Sequence, residues 1–277
     1  MKKNRKYLLG IVILSIVIKL GIICVNNRIY RDAFLYINMA KYDVAKFIET
    51  DKISHLGTLC PTIPPFYILL LTFGEYIGIG AANFAYILAI VLGIFTTLAI
   101  YAITKYLFKK EKLALIASFL WTIHPFFLRT DMGIIRDSLY IPLVIYCLFF
   151  AMTAIVEQAS LPVIKIKTII YWILFALFAA IANATRREGF ELIVIFTIWI
   201  FIEMFFIRKE YAKNIINKII IFSTVFLIWI GISYSFYYFT SNYTKYNWNI
   251  ISQQAKSFFN AFLNDDVERL KKWEWEK

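Results

Sequence analysis

Apolar residues occupy long runs along most of this chain, and short polar stretches separate the runs. They cover residues 7–25, 83–104, 113–127, 139–156, 168–184, 190–207 and 219–239. A helix of about 20 residues crosses a hydrocarbon core of about 30 Å, so the pattern predicts seven transmembrane helices. Residues 65–80 are apolar too, but the run is short. Residues 26–64 form a long polar stretch after the first run. Its centre, residues 34–48, repeats Phe34, Ile37, Tyr42 and Ala45 at helical spacing with charges between them. That spacing predicts an amphipathic helix lying on a membrane surface.

The polar stretches orient the runs, because lysine and arginine concentrate in cytoplasmic loops. Lys2, Lys3, Arg5 and Lys6 precede the first run and place the N-terminus in the cytoplasm. Lys105, Lys109, Lys110 and Lys112 mark an inner loop, as do Lys165 and Lys167, and then Arg208, Lys209, Lys213 and Lys218. If residues 65–80 crossed the membrane, the cluster at Lys105 to Lys112 would lie outside. An interfacial or re-entrant segment there keeps every basic loop inside. The expected organisation is a membrane module over residues 1–239 and an extracytoplasmic tail, 240–277, that reads as truncated. The basic start and first run resemble a signal peptide, but no small-residue cleavage site follows, so an uncleaved first helix is expected.

Composition agrees with the runs. The chain is 61% hydrophobic with a mean hydropathy of +0.67, against about 45–50% apolar in soluble domains. An all-α integral membrane protein is therefore expected, in the plasma membrane and in contact with its lipids. The net charge of +12 is explained by loop position and is no argument for nucleic acid as a partner. Cys24, Cys60 and Cys147 show no metal-ligand spacing.

Some charges lie on the outer side despite the bias. Asp32 follows the first run. His124, Arg129, Asp131, Arg136 and Asp137 share one loop, and Arg186, Arg187 and Glu188 share a minimal turn. A carboxylate at a membrane surface can act as general base towards a hydroxyl, although an acid at the start of a surface helix is also favoured by the helix dipole alone. Adjacent guanidinium groups suit phosphate through paired, charge-assisted hydrogen bonds; they equally anchor helix ends by snorkelling. The acids of the middle loop could hold a metal or simply pair with their arginines. No residue has ligand spacing that assigns it to a metal. Glu191 lies about one turn beyond Glu188 and would enlarge a polar site if it faces the bundle.

The order of these features resembles a known family. Arg31-Asp32 with Tyr36 and Ala40 follows a first span. Pro64-Pro65-Phe66-Tyr67 leads into an apolar stretch, His124-Pro125 opens an acid-containing loop, and Thr185-Arg186-Arg187-Glu188-Gly189 forms a later turn. This arrangement resembles the GT-C fold membrane glycosyltransferases, in the protein O-mannosyltransferase, aminoarabinose transferase and RgtA/B/C/D-like group. The resemblance spans about residues 7–239 and rests on order and sidedness, since each motif is short. It implies a seven-span module whose external first loop carries surface helices. It implies inverting sugar transfer, outside the cytoplasm, from a polyprenyl phosphate to a lipid, glycan or protein acceptor in cell envelope glycosylation. Asp32 then matches the essential acid. Asp131, with Asp137 as runner-up, matches a second acid, and Arg186, Arg187 and Glu188 match the arginine turn. Tyr36 and Arg136 join the expected substrate contacts. Some members use a divalent metal and some do not, so no cofactor is assigned. The chain departs from the family in ending soon after its seventh run, and Ala33 stands where a second acid often follows the first. Two rival readings are a flippase for a lipid-linked sugar, which would favour internal repeats that are absent here, and a non-catalytic membrane subunit.

Overall fold

A computed structural model describes residues 2–25, 31–50, 66–159, 166–202 and 212–240. Among the described residues the chain is helical, without strands. In order come α1 (Lys2–Val25), α2 (Arg31–Thr50), α3 (Phe66–Tyr76), α4 (Ala81–Phe108) and α5 (Glu111–Ile123). They are followed by α6 (Pro125–Asp131), α7 (Asp137–Ala159), α8 (Ile166–Thr185), α9 (Gly189–Ile202) and α10 (Ala212–Thr240).

The helices are apolar outside and partly polar inside. On α1, Leu9, Ile13, Val17 and Leu20 are exposed, whereas Ser15 and Lys19 are buried. A soluble helix would do the reverse; a helix surrounded by lipid tails gains nothing by hiding leucine. Helices also satisfy their own backbone groups, which hydrocarbon requires. Among the described residues, α1, α4, α7 and α8 contain stretches long and apolar enough to cross a membrane. The bent pair α5–α6 makes a fifth if it is one broken span. The 58° bend has a local cause. Pro125 has no N–H to give and pushes the preceding residue out of the helical region, and His124 is extended, at φ −67° and ψ 120°.

Seven spans were expected from the runs; four to five are present among the described residues. The last two runs are described only in part, and their described apolar stretches, Gly189–Trp199 in α9 and Ile220–Ser235 in α10, are each shorter than a span. The connecting residues 203–211, part of the predicted external loop with His55 and Cys60, and the expected tail 241–277 lie outside the described residues.

In the segment expected to be interfacial or re-entrant, α3 has 11 residues, or about 16 Å at 1.5 Å per residue. That is about half of a hydrocarbon core. It turns sharply into α4 through Gly78 and Gly80, both at positive φ (80° and 88°), where glycine alone is unstrained. Glu75 accepts a hydrogen bond from the Ala81 N–H at 2.7 Å, which satisfies one open donor of the α4 start. The surface helix expected at residues 34–48 is part of α2. Ala33, Tyr36, Ile37, Met39 and Ala40 are buried while Phe34 and Tyr42 are exposed. α2 packs on α3 through this face, joining Tyr67, Ile68 and Leu71 in one cluster.

The second cluster joins α7 to α10 around Trp172, Phe175, Phe196 and Trp229. Ala176, Ala179 and Ala180 of α8 are fully buried there, and small residues let neighbouring helices approach closely. On the other side of the bundle Thr97, Ser118 and Thr122 link α4 to α5, while each hydroxyl also returns to its own helix backbone.

The bundle has two chemically distinct ends. Lys6 of α1 and Lys112 of α5 line one groove, and Lys105 bonds Glu111 at 2.6 Å across the α4–α5 turn. Both basic segments therefore share an end. The start of α7 is elsewhere: Ser138 and Tyr86 both lie within electrostatic reach of Tyr67. By Tyr146, whose hydroxyl bonds the Phe95 carbonyl at 3.0 Å, α7 has run alongside α4 towards the basic end.

Candidate functional site

At the end of the bundle away from those lysines, four segments remote in sequence meet. Asp137 is the first residue of α7 and Arg186 directly follows α8. Each sits where the helix dipole favours its charge. Arg186 Nη1 donates to Asp137 Oδ1, while its Nε and Nη2 donate to the two oxygens of Glu188 at 3.1 Å each. This is the forked geometry that guanidinium offers and ammonium does not. The guanidinium also lies 5.6 Å from the ring centre of Tyr140.

The turn that presents Arg186 explains its glycine. The Arg186 N–H bonds the Ala182 carbonyl, and Gly189, Phe190 and Glu191 donate back to residues 186–188. A Cβ at Gly189 would overlap the backbone of Ala182 and Asn183. The chain can turn this tightly against α8 only with glycine.

Tyr36 of α2 is the second focus. It lies within electrostatic reach of Asp32, Arg136 and Asp137, and the Arg136 guanidinium stands 5.9 Å from its ring centre. Tyr36 meets Tyr67 edge to face at 5.8 Å. The Tyr67 hydroxyl is buried beside Ser138 but makes no hydrogen bond of good geometry among the described residues, because Ser138 donates to the Ile135 carbonyl instead; Asn183 Oδ1 likewise has no partner among them. Such orphaned polar atoms are uncommon in folded proteins. Arg136 and Asp137 leave a strained turn, in which the β-branched Ile134 holds φ +49° and is itself buried. Strain of this kind persists where surrounding packing fixes it.

Titration follows the contacts. Burial raises the Tyr36 hydroxyl above its ordinary range, with Arg136 opposing the shift. Burial also acts against ionisation of Glu188, but its own backbone N–H and Arg186 prevail and hold the carboxyl below its ordinary value. For Arg186, burial disfavours the cation and is outweighed by hydrogen bonds and charge from Glu188 and Asp137.

The residues singled out in the sequence divide into two groups. Tyr36, Arg136, Asp137, Arg186 and Glu188 come together, Asp32 is exposed one turn before Tyr36 on α2 and within its electrostatic reach, and Glu191 lies within reach of Tyr140. Arg187 is exposed, next to the paired Arg186. His124 is exposed at the α5–α6 break with its ring 5.0 Å from Phe127. Asp131 faces elsewhere. It is buried, and its Oδ2 accepts a 2.6 Å bond from Lys19 Nζ of α1, which also donates to the Ala89 carbonyl at 3.0 Å. A Cβ at Gly93 would overlap that ammonium, so glycine opens the slot. Lys19 and Tyr140 were not singled out in the sequence, and Tyr67 only as the end of Pro64-Pro65-Phe66-Tyr67. Lys19 carried a visible signal, a charge inside an apolar span; Tyr140 is one tyrosine among many aromatics.

Among the described residues no three His, Cys, Asp or Glu side chains gather closely enough to hold a metal ion. Asp137 and Glu188 are both engaged by Arg186. No family model, curated protein or solved structure matches this chain.

Proposed function

We propose that the chain is an integral-membrane glycosyltransferase of the GT-C kind, moving a sugar from a polyprenyl phosphate to a hydroxyl acceptor with inversion. The observation that carries this reading is the gathering of Asp32, Tyr36, Arg136, Asp137, Arg186 and Glu188 at the bundle end remote from the lysines. With the basic end in the cytoplasm, that site lies outside it. The proposed topology retains seven spans, N-terminus in and C-terminus out.

In this reading the acceptor oxygen attacks the anomeric carbon, Asp32 takes the hydroxyl proton, and the bond to the phosphate oxygen breaks, releasing the polyprenyl phosphate. Arg136 and Arg186 balance the charge that grows on the departing phosphate. Asp137 orients Arg186, which makes it a better second acid than Asp131, whose carboxylate is taken by Lys19. Much of the rate would come from positioning, because the donor carries its activated bond already.

The test is transfer from a polyprenyl-phosphate sugar in membranes containing the protein. Wild type should transfer, and an equally expressed Asp32→Asn protein should lose about 10²–10⁴ in rate, the usual contribution of a general base. Wild-type turnover by Asp32→Asn would remove the catalytic assignment and favour a non-catalytic subunit.

A further inference from the structure

The groove at the basic end has no part in that reaction. It runs between α1 and α5, with a cavity of about 560 Å³. Its floor is apolar, made by Ile11, Leu14, Leu115, Ile116 and Phe119, and Lys6 and Lys112 stand on its rim without an acidic lining residue. Further along α1, Lys19 ties the helix to Ala89 of α4 and Asp131 of α6, roughly 20 Å from Lys6 at 1.5 Å per residue. In the groove itself a Cβ at Gly10 would meet no atom within 4 Å. The nearby acid Glu111 is bonded to Lys105.

We infer that this groove is a binding site for one anionic phospholipid of the leaflet at the basic end. The acyl chain lies along Gly10, Leu14 and Phe119, and the headgroup phosphate lies between Lys6 and Lys112. Charge decides the occupant. A neutral or zwitterionic lipid would fill the apolar floor equally well but would gain little from two ammonium groups; basic pockets between membrane helices favour anionic headgroups. The volume is within the range of about 300–1,000 Å³ typical of small-molecule sites.

The full-length protein, purified in detergent, is stripped of lipid and titrated with phosphatidylglycerol or phosphatidylcholine. Bound lipid is counted by native mass spectrometry. One phosphatidylglycerol should be retained in preference to phosphatidylcholine. Lys6→Gln with Lys112→Gln should weaken its retention about 10- to 30-fold, as expected for two lysines near a headgroup. Gly10→Leu should abolish retention by filling the floor while leaving both charges. Lys109→Gln with Lys110→Gln, equally basic but outside the groove, should leave retention unchanged. Melting temperature is measured for each variant, and Lys6→Arg with Lys112→Arg, which keeps both charges, should bind as wild type. Equal retention of the two lipids would overturn the inference. So would a loss as large in the Lys109/Lys110 variant as in the Lys6/Lys112 variant, or retention untouched by Gly10→Leu. None of these readings depends on sugar transfer.

Discussion

Replacing Asp131 by leucine tests the buried polar junction of α1, α4 and α6. The wild-type bond is short, 2.6 Å, and its side chains are only 3% and 8% exposed. With an effective dielectric of about 20, Coulomb attraction at that distance is about 6 kcal/mol. Desolvating two ions costs several kcal/mol each, so the pair by itself adds little net stability. Removing one partner is different, because the other charge stays buried. In Asp131→Leu the Lys19 ammonium keeps only the Ala89 carbonyl, and a loss of about 3–5 kcal/mol is expected. Lys19→Met should cost a similar amount by leaving the carboxylate. The double variant Lys19→Met/Asp131→Leu should return to within about 1 kcal/mol of wild type, since an apolar replacement of both ions is close to neutral. The assay is thermal unfolding of the four proteins in one detergent, read as a double-mutant cycle. At about 2–4 °C per kcal/mol, each single variant should melt about 6–20 °C lower. A double variant as unstable as either single one would refute the reasoning, as would Asp131→Leu melting like wild type.

Gly93→Ala should reproduce part of the same loss, because its methyl group displaces the ammonium, and in melting curves it should cost less in a Lys19→Ala background than in wild type. Tyr67→Phe removes a buried hydroxyl that makes no hydrogen bond of good geometry among the described residues; stability should hold or rise by about 1 kcal/mol, and a drop beyond that would mean the hydroxyl is bonded. Arg186→Ala should weaken donor binding in the transfer assay and Arg186→Lys should restore only part, since lysine lacks the fork that reaches both Glu188 oxygens; full rescue by lysine would rule out a role for the fork. Glu188 titrates lower folded than unfolded, so its stabilising contribution is complete above its ordinary value of 4.5 and is lost as pH falls through its lower folded value. The gap in melting temperature between wild type and Glu188→Gln should therefore close as pH falls below the ordinary value of 4.5; a constant gap would contradict it.

The apolar runs by themselves determined that this is a helical membrane chain. Lipid leaves the backbone no alternative to helix over such lengths, and α1, α4, α7 and α8 lie where the runs are. The sequence also located the break at His124-Pro125 and the charged segments at Asp32, Arg136 and Arg186, since proline and charge act locally. What it could not decide was which polar groups face one another. Asp131 and Asp137 are six residues apart and look alike in the chain. The strained turn at Ile134 sends one to Lys19 inside the bundle and the other to Arg186 at its end. Arg186 and Arg187 are neighbours, yet only the first is turned towards Asp137, because Gly189 folds the loop against α8. Pairing across distant segments depends on helix rotation and level, and those are fixed only when the helices pack.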